Sequence, residues 1–107
     1  MTEAPAREER FVVDPRHPSL AGHFPGNPVL PGVVVLDRVI SAAEAWLGGD
    51  WRVGGLPQVK FASPLRPGDE ATIRLVLREG GVHFAVRCQE RMVAQGVLSP
   101  SGGGTRS

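Results

Sequence analysis

The sequence predicts an α+β domain in which one long helix lies against an antiparallel sheet. Two observations carry this expectation. One segment, Val33–Gly48, reads as a helix, and from Trp51 onward four segments alternate apolar and polar residues between turn signals. An order of strand, loop, helix and then consecutive strands fits a helix packed on one sheet face rather than a βαβ repeat.

Each element has its own warrant. Arg10–Val13 is a short strand candidate, broken by the prolines of Asp14-Pro15-Arg16-His17-Pro18. Pro31 and Gly32 open the helix, where amide donors are free in any case, and Gly48-Gly49 supplies its stop. Asp37, Ser41 and Glu44 form a polar stripe, while Val35, Val39, Ile40, Ala43 and Leu47 form a core face, so the helix is expected to be largely buried. The segments 54–63, 69–79, 81–90 and 91–100 follow as strands. Arg66-Pro67-Gly68-Asp69 and Glu79-Gly80-Gly81 read as turns. Residues 1–9 are expected to be a flexible arm, 10–99 a single domain, and 100–107 a flexible Gly-rich tail. One helix cannot cover a whole sheet face, and long edge strands remain, which favours a dimer.

Composition excludes several classes. The chain has 107 residues with 12 Lys/Arg against 11 Asp/Glu, a net charge of +1, so no polyanion-binding surface and no nucleic-acid partner are expected. The longest apolar run, Val33–Leu36, is far too short to cross a bilayer, and the N-terminus has no apolar signal core. A single cysteine, Cys88, forms no intrachain disulfide, and a cytoplasmic protein is the simplest expectation. His17, His23 and Cys88 lack compact metal-ligand spacing, so no metal or cofactor is expected; His17 and His83 read as surface residues.

The chemistry concentrates in one stretch, "GHFPGNPVLPGVVVLD", Gly22–Asp37. A lone histidine in a Pro/Gly loop is more often structural than catalytic, and an aspartate in a polar helix stripe is more often merely solvated. The whole pattern changes that reading. It resembles the signature of the 3-hydroxyacyl-(acyl-carrier-protein) dehydratases of the hotdog fold: His-Phe-Pro-Gly, a proline, Pro-Gly, and an acid in the following helix. His23 and Asp37 are fourteen residues apart, as in that signature. The segment "VKFASPLRPGDEATI", Val59–Ile73, is also similar to the family's Lys-Phe … Pro-Gly-Asp segment. The resemblance runs from about Phe11 to Leu98, and the compact length looks like the stand-alone dehydratases of aryl-polyene and related pathways. The acid here is Asp, where many members have Glu.

The resemblance implies a homodimeric hotdog enzyme, with higher assembly open, that takes a thioester from acyl carrier protein and needs no cofactor. Eliminating water requires a base for the α-proton, a donor to the enolate-like oxygen, and a group to hold the hydroxyl. A neutral imidazole with its ordinary pKa of about 6.5 suits His23 to the first role. The resemblance gives the Val29 carbonyl the task of orienting that imidazole. The Gly32 amide at the helix start suits the second role, since a helix N-terminus favours negative charge and glycine admits close approach. Asp37 takes the third, and the resemblance brings it from the partner subunit. Phe24, Leu30, Pro31, Val33, Leu56, Pro57 and Phe61 are expected to line the acyl slot, and Arg16, Arg38, Lys60 and Arg66 to offer cations to an acidic carrier. Two competing readings stand beside this one: a hotdog thioesterase, which would release a free acid, and a non-catalytic carrier-binding partner subunit.

Overall fold

The computed structural model describes residues 4–16, 29–79 and 81–101. In chain order the elements are β1 (Ala6–Val12), α1 (Gly32–Leu47), β2 (Val53–Phe61), β3 (Glu70–Arg78), β4 (Gly81–Cys88) and β5 (Arg91–Pro100). The strands form one antiparallel sheet in the order β1-β3-β4-β5-β2. β1 and β2 therefore lie at opposite edges, and the chain passes from one edge to the other by way of the helix.

Alternation sets the two faces. Val82, Phe84, Val86 and Cys88 of β4 are buried, while His83 and Arg87 are exposed. Ala71, Ile73 and Leu75 of β3 share the buried face. Against it the helix buries Val35, Val39, Ala42 and Ala43, which recur at helical spacing. The α+β architecture expected from the sequence is the one observed. The expected helix core face holds at Val35, Val39 and Ala43, whereas Ile40 and Leu47 are half-buried. The opposite side, with Asp37 and Ser41, is open to solvent in the single chain, and Val33 is 69% exposed. The helix is thus covered on one face, less than the expected burial. Glu44 leaves the polar stripe by accepting a hydrogen bond from the Val53 amide at 3.0 Å.

The start of β1 differs from the sequence reading. β1 begins at Ala6, so residues 6–9, expected in a flexible arm, are paired with β3 through Arg7↔Leu75 and Glu8↔Arg74. Four consecutive charges hid this strand, because pairing along an exposed edge needs no apolar alternation. β5 covers Arg91–Pro100, the segment expected as the last strand. The helix ends as expected, with Gly48 at φ 66° donating its amide to the Glu44 carbonyl at 2.9 Å. At Gly81, φ is 146° and a β-carbon would collide with the Leu98 carbonyl oxygen, which makes glycine obligatory where β4 enters the sheet. No helix among the described residues is long and apolar enough to cross a membrane.

Candidate active site

The site is built around the start of α1. Pro31 caps the helix with φ −59° and ψ 146° and has no side-chain hydrogen bond to offer. Its carbonyl accepts from the amides of Val34 at 3.0 Å and Val35 at 3.3 Å. The Gly32 and Val33 amides have no hydrogen-bond partner among the described residues. No acidic side chain occupies the first turn, so the helix does not compensate its own positive end.

This terminus opens onto an apolar groove of about 790 Å³. Val29, Leu30, Pro31, Gly32 and Val33 form one side, and Phe61, Ala62, Ser63, Pro64 and Leu65 the other, with Val35 and Val93 below. The two sides are joined by an isolated β-bridge in which the Leu30 amide donates to the Leu65 carbonyl at 2.8 Å. Leu30 and Leu65 are themselves buried, which fixes that bridge in the core. The Phe61 ring lies against Gly32 and is half exposed at 51%.

Asp37 sits on the solvent side of the helix, one and a half turns past Gly32, and makes no hydrogen bond or ion pair among the described residues. His23 and Phe24 lie outside the described residues, as does His17. Of the residues expected to line the acyl slot, Leu30, Pro31, Val33 and Phe61 border this groove, as do Val29 and Gly32, for which backbone roles were expected. Leu56 and Pro57 do not line it: they fall in the irregular part of β2, between the Gly55↔Ser99 and Gln58↔Val97 pairs. Arg16, Arg38, Lys60 and Arg66 are all exposed but do not form one patch; Arg38 stacks over Phe11 at 4.6 Å on the β1 side, whereas Lys60 is on edge strand β2. The far face of the sheet has a separate polar hollow of about 420 Å³ lined by Lys60, Arg74, His83 and Gln95, which includes neither the helix terminus nor Asp37. Sequence reasoning missed Ser63, Pro64 and Leu65, whose only local signal was a short loop before a turn. Among the described residues no group of His, Cys, Asp and Glu is placed to hold a metal.

The helix terminus, whose first amides have no partner among the described residues, thus stands beside an apolar groove in a chain that carries the His-Phe-Pro-Gly motif. The sequence model of the ApeI-like family, described as ApeI dehydratase, matches residues 2–97. The chain belongs to the ApeI-like dehydratase family. It is 36% identical to the 3-hydroxyacyl-[acyl-carrier-protein] dehydratase FabZ of Chlamydia trachomatis serovar L2, over 77% of this chain and 63% of that protein. The ApeI-like chain thus spans less than two thirds of that relative's length. Its fold is similar to that of the dehydratase heterocomplex ApeI:P from Xenorhabdus doucetiae, with a TM-score of 0.80 and 27% identity over 92% of this chain and 88% of that one. A structure from Erwinia carotovora subsp. atroseptica, described as an uncharacterized protein, matches with a TM-score of 0.83 and 28% identity, over 94% and 86% of the two chains. The ApeI-like chain has the hotdog fold, one helix on a five-stranded antiparallel sheet.

Proposed function

We propose that this ApeI-like protein removes water from a 3-hydroxyacyl thioester carried on acyl carrier protein, giving the trans-2-enoyl thioester in fatty-acid or polyketide-type biosynthesis. The observation that carries the reading is the pair of Gly32 and Val33 amides, without a partner among the described residues, at the mouth of an apolar groove and five and four residues before an exposed carboxylate at Asp37. The acyl chain lies in the groove, which brings the thioester carbonyl to the helix terminus. There an amide donor stabilises the oxygen as negative charge develops, an effect worth about 3 kcal/mol per donor in comparable sites. His23 takes the α-proton. The C–O bond to the hydroxyl breaks, and the hydroxyl leaves as water with the proton that the imidazolium returns. Asp37 of a second subunit holds the hydroxyl during this step.

The second subunit is another copy of the chain. Edge strand β1 is guarded by four charges in seven residues, Arg7, Glu8, Glu9 and Arg10, while edge strand β2 carries Lys60 alone. Val33, Leu56 and Phe61 expose apolar surface at 69%, 39% and 51% on and beside β2. Pairing there would cover the bare side of the helix and bring Asp37 to the partner's site. Relatives named as acting on carrier-bound substrates support the carrier as partner, and the single buried Cys88 suits a reducing cytoplasm.

The test is product analysis with a short 3-hydroxyacyl carrier-protein thioester. Loss of one water from the carrier-bound chain is expected. Free acid would assign a thioesterase instead, and unchanged substrate on bound carrier a non-catalytic subunit.

A further inference from the structure

Arg91, outside the groove, holds one of its walls. It is the first residue of β5 and pairs with Cys88 across the β4–β5 hairpin. Its Nη1 donates to the Ser63 Oγ at 3.0 Å and to the Pro64 carbonyl, and its Nη2 lies 3.4 Å from Asp69 Oδ2. The Ser63 hydroxyl in turn donates a hydrogen bond to the Met92 carbonyl at 2.6 Å, and Asp69 Oδ2 also accepts from the Arg66 amide at 2.8 Å. One guanidinium therefore ties down both ends of Ser63–Asp69, the loop between β2 and β3. Of the ion pairs among the described residues this is the most enclosed, with side chains 38% and 28% exposed.

The loop it holds has two tasks. Ser63, Pro64 and Leu65 form the groove wall opposite the helix. The Leu65 carbonyl accepts the Leu30 amide at 2.8 Å, just before Pro31 and the Gly32 amide at the helix start. Without Arg91 the loop keeps backbone hydrogen bonds on either side of Pro64: the Ala62 and Ser63 amides to the Val93 carbonyl before it, and after it the Leu30 amide to the Leu65 carbonyl, the Gly68 amide to the Val13 carbonyl, the Asp69 amide to the Arg66 carbonyl and the Val13 amide to the Asp69 carbonyl. Pro64 itself has no amide hydrogen to anchor it.

We propose that Arg91 is a positioning residue of the acyl groove: through Ser63, Pro64 and Asp69 it sets the wall formed by Ser63–Leu65 and thereby how firmly the groove grips successive methylenes of an acyl chain. This inference rests on the acyl-thioester reading of the groove. A planar fork reaching three oxygens is a task for arginine; lysine, a point donor, reproduces it in part.

Chain-length dependence is the readout that a merely structural role would not move. Binding of 3-hydroxyacyl-pantetheine amides with four, six and eight carbons is measured by calorimetry, beside kcat/KM for dehydration of the matching thioesters. In the unsubstituted protein, affinity is expected to rise by about fourfold for each methylene that the groove buries. Arg91→Ala is expected to flatten that gain to less than about twofold, with Arg91→Lys between the two. Ser63→Ala, which spares Arg91 and the fold, is expected to flatten it partly and keeps the question answerable if Arg91→Ala does not fold. A uniform loss at every length with the gain per methylene intact overturns the inference, as does a native protein without any gain. A native protein that binds with the expected gain yet forms no enoyl product refutes the dehydratase reading while the positioning role is still judged by binding.

Discussion

Gly32 lies so close beneath the Phe61 ring that a β-carbon at position 32 would sit 2.8 Å from Cε1 and 2.9 Å from Cζ. The helix terminus and the groove's aromatic side are therefore matched to each other. Two effects oppose each other in Gly32→Ala. Alanine in place of glycine favours the helix by up to about 1 kcal/mol, and overpacking against a ring costs roughly 1–3 kcal/mol. Because Phe61 is half exposed its ring can shift, so the lower end applies and the two effects nearly cancel, leaving a net change of less than about 1 kcal/mol. In a Phe61→Ala background the clash is gone and the same substitution should stabilise by up to about 1 kcal/mol. Denaturant unfolding of the four proteins checks this; equal effects in both backgrounds would contradict the contact.

Asp37 separates stability from activity. It is exposed and unpartnered among the described residues, so Asp37→Ala should change monomer stability by no more than about 0.5 kcal/mol. Dehydration should fall by about 10²–10⁴, the range for a residue that handles the proton or the leaving group. Thermal melts beside initial rates read both. A destabilised protein with a proportionate loss of activity would make Asp37 structural.

Gln89 holds a strained turn. It has φ 57° in the two-residue connection between Cys88 and Arg91. A residue with a β-carbon costs roughly 1 kcal/mol there relative to glycine. Gln89→Gly should raise the Tm by about 3–6 °C, with activity unchanged. A lower Tm would mean that the Gln89 side chain contributes more than its backbone costs.

Leu56 tests the edge. A Leu56→Lys substitution places a charge on the strand through which two copies are expected to pair. Sedimentation should shift from dimer toward monomer, and dehydration should fall with it because each site then lacks the partner's Asp37. A dimer that survives with full activity would place the interface elsewhere.

The sequence made the helix legible because Val35, Val39 and Ala43 repeat at its period, and the strands because Ile73, Leu75, Val82, Phe84 and Val86 alternate. β1 was only half legible, since Arg7-Glu8-Glu9-Arg10 serves an exposed edge whose pairing comes from distant Arg74 and Leu75. At the site, motif spacing marked Gly32 and Asp37, and the neighbours Val29–Val33 came with them. Ser63–Leu65 stayed hidden because Leu30 meets Leu65 across thirty-five residues of chain, and no local period encodes that bridge. Leu56 and Pro57 were expected at the groove as apolar residues, but they fall within the register shift of β2 and are not among the groove's lining.

The most direct test of the central claim, that His23 of one subunit and Asp37 of the other form one dehydration site, is a complementation assay. His23→Ala and Asp37→Ala chains are purified separately and also co-expressed, and loss of water from a 3-hydroxyacyl carrier-protein thioester is followed in all three samples. Each variant alone should be inactive. The co-expressed mixture should recover up to about a quarter of native activity, since half of its dimers pair unlike chains and each of those restores one of two symmetric sites. A mixture as inactive as its components, with mixed dimers present, would contradict the account.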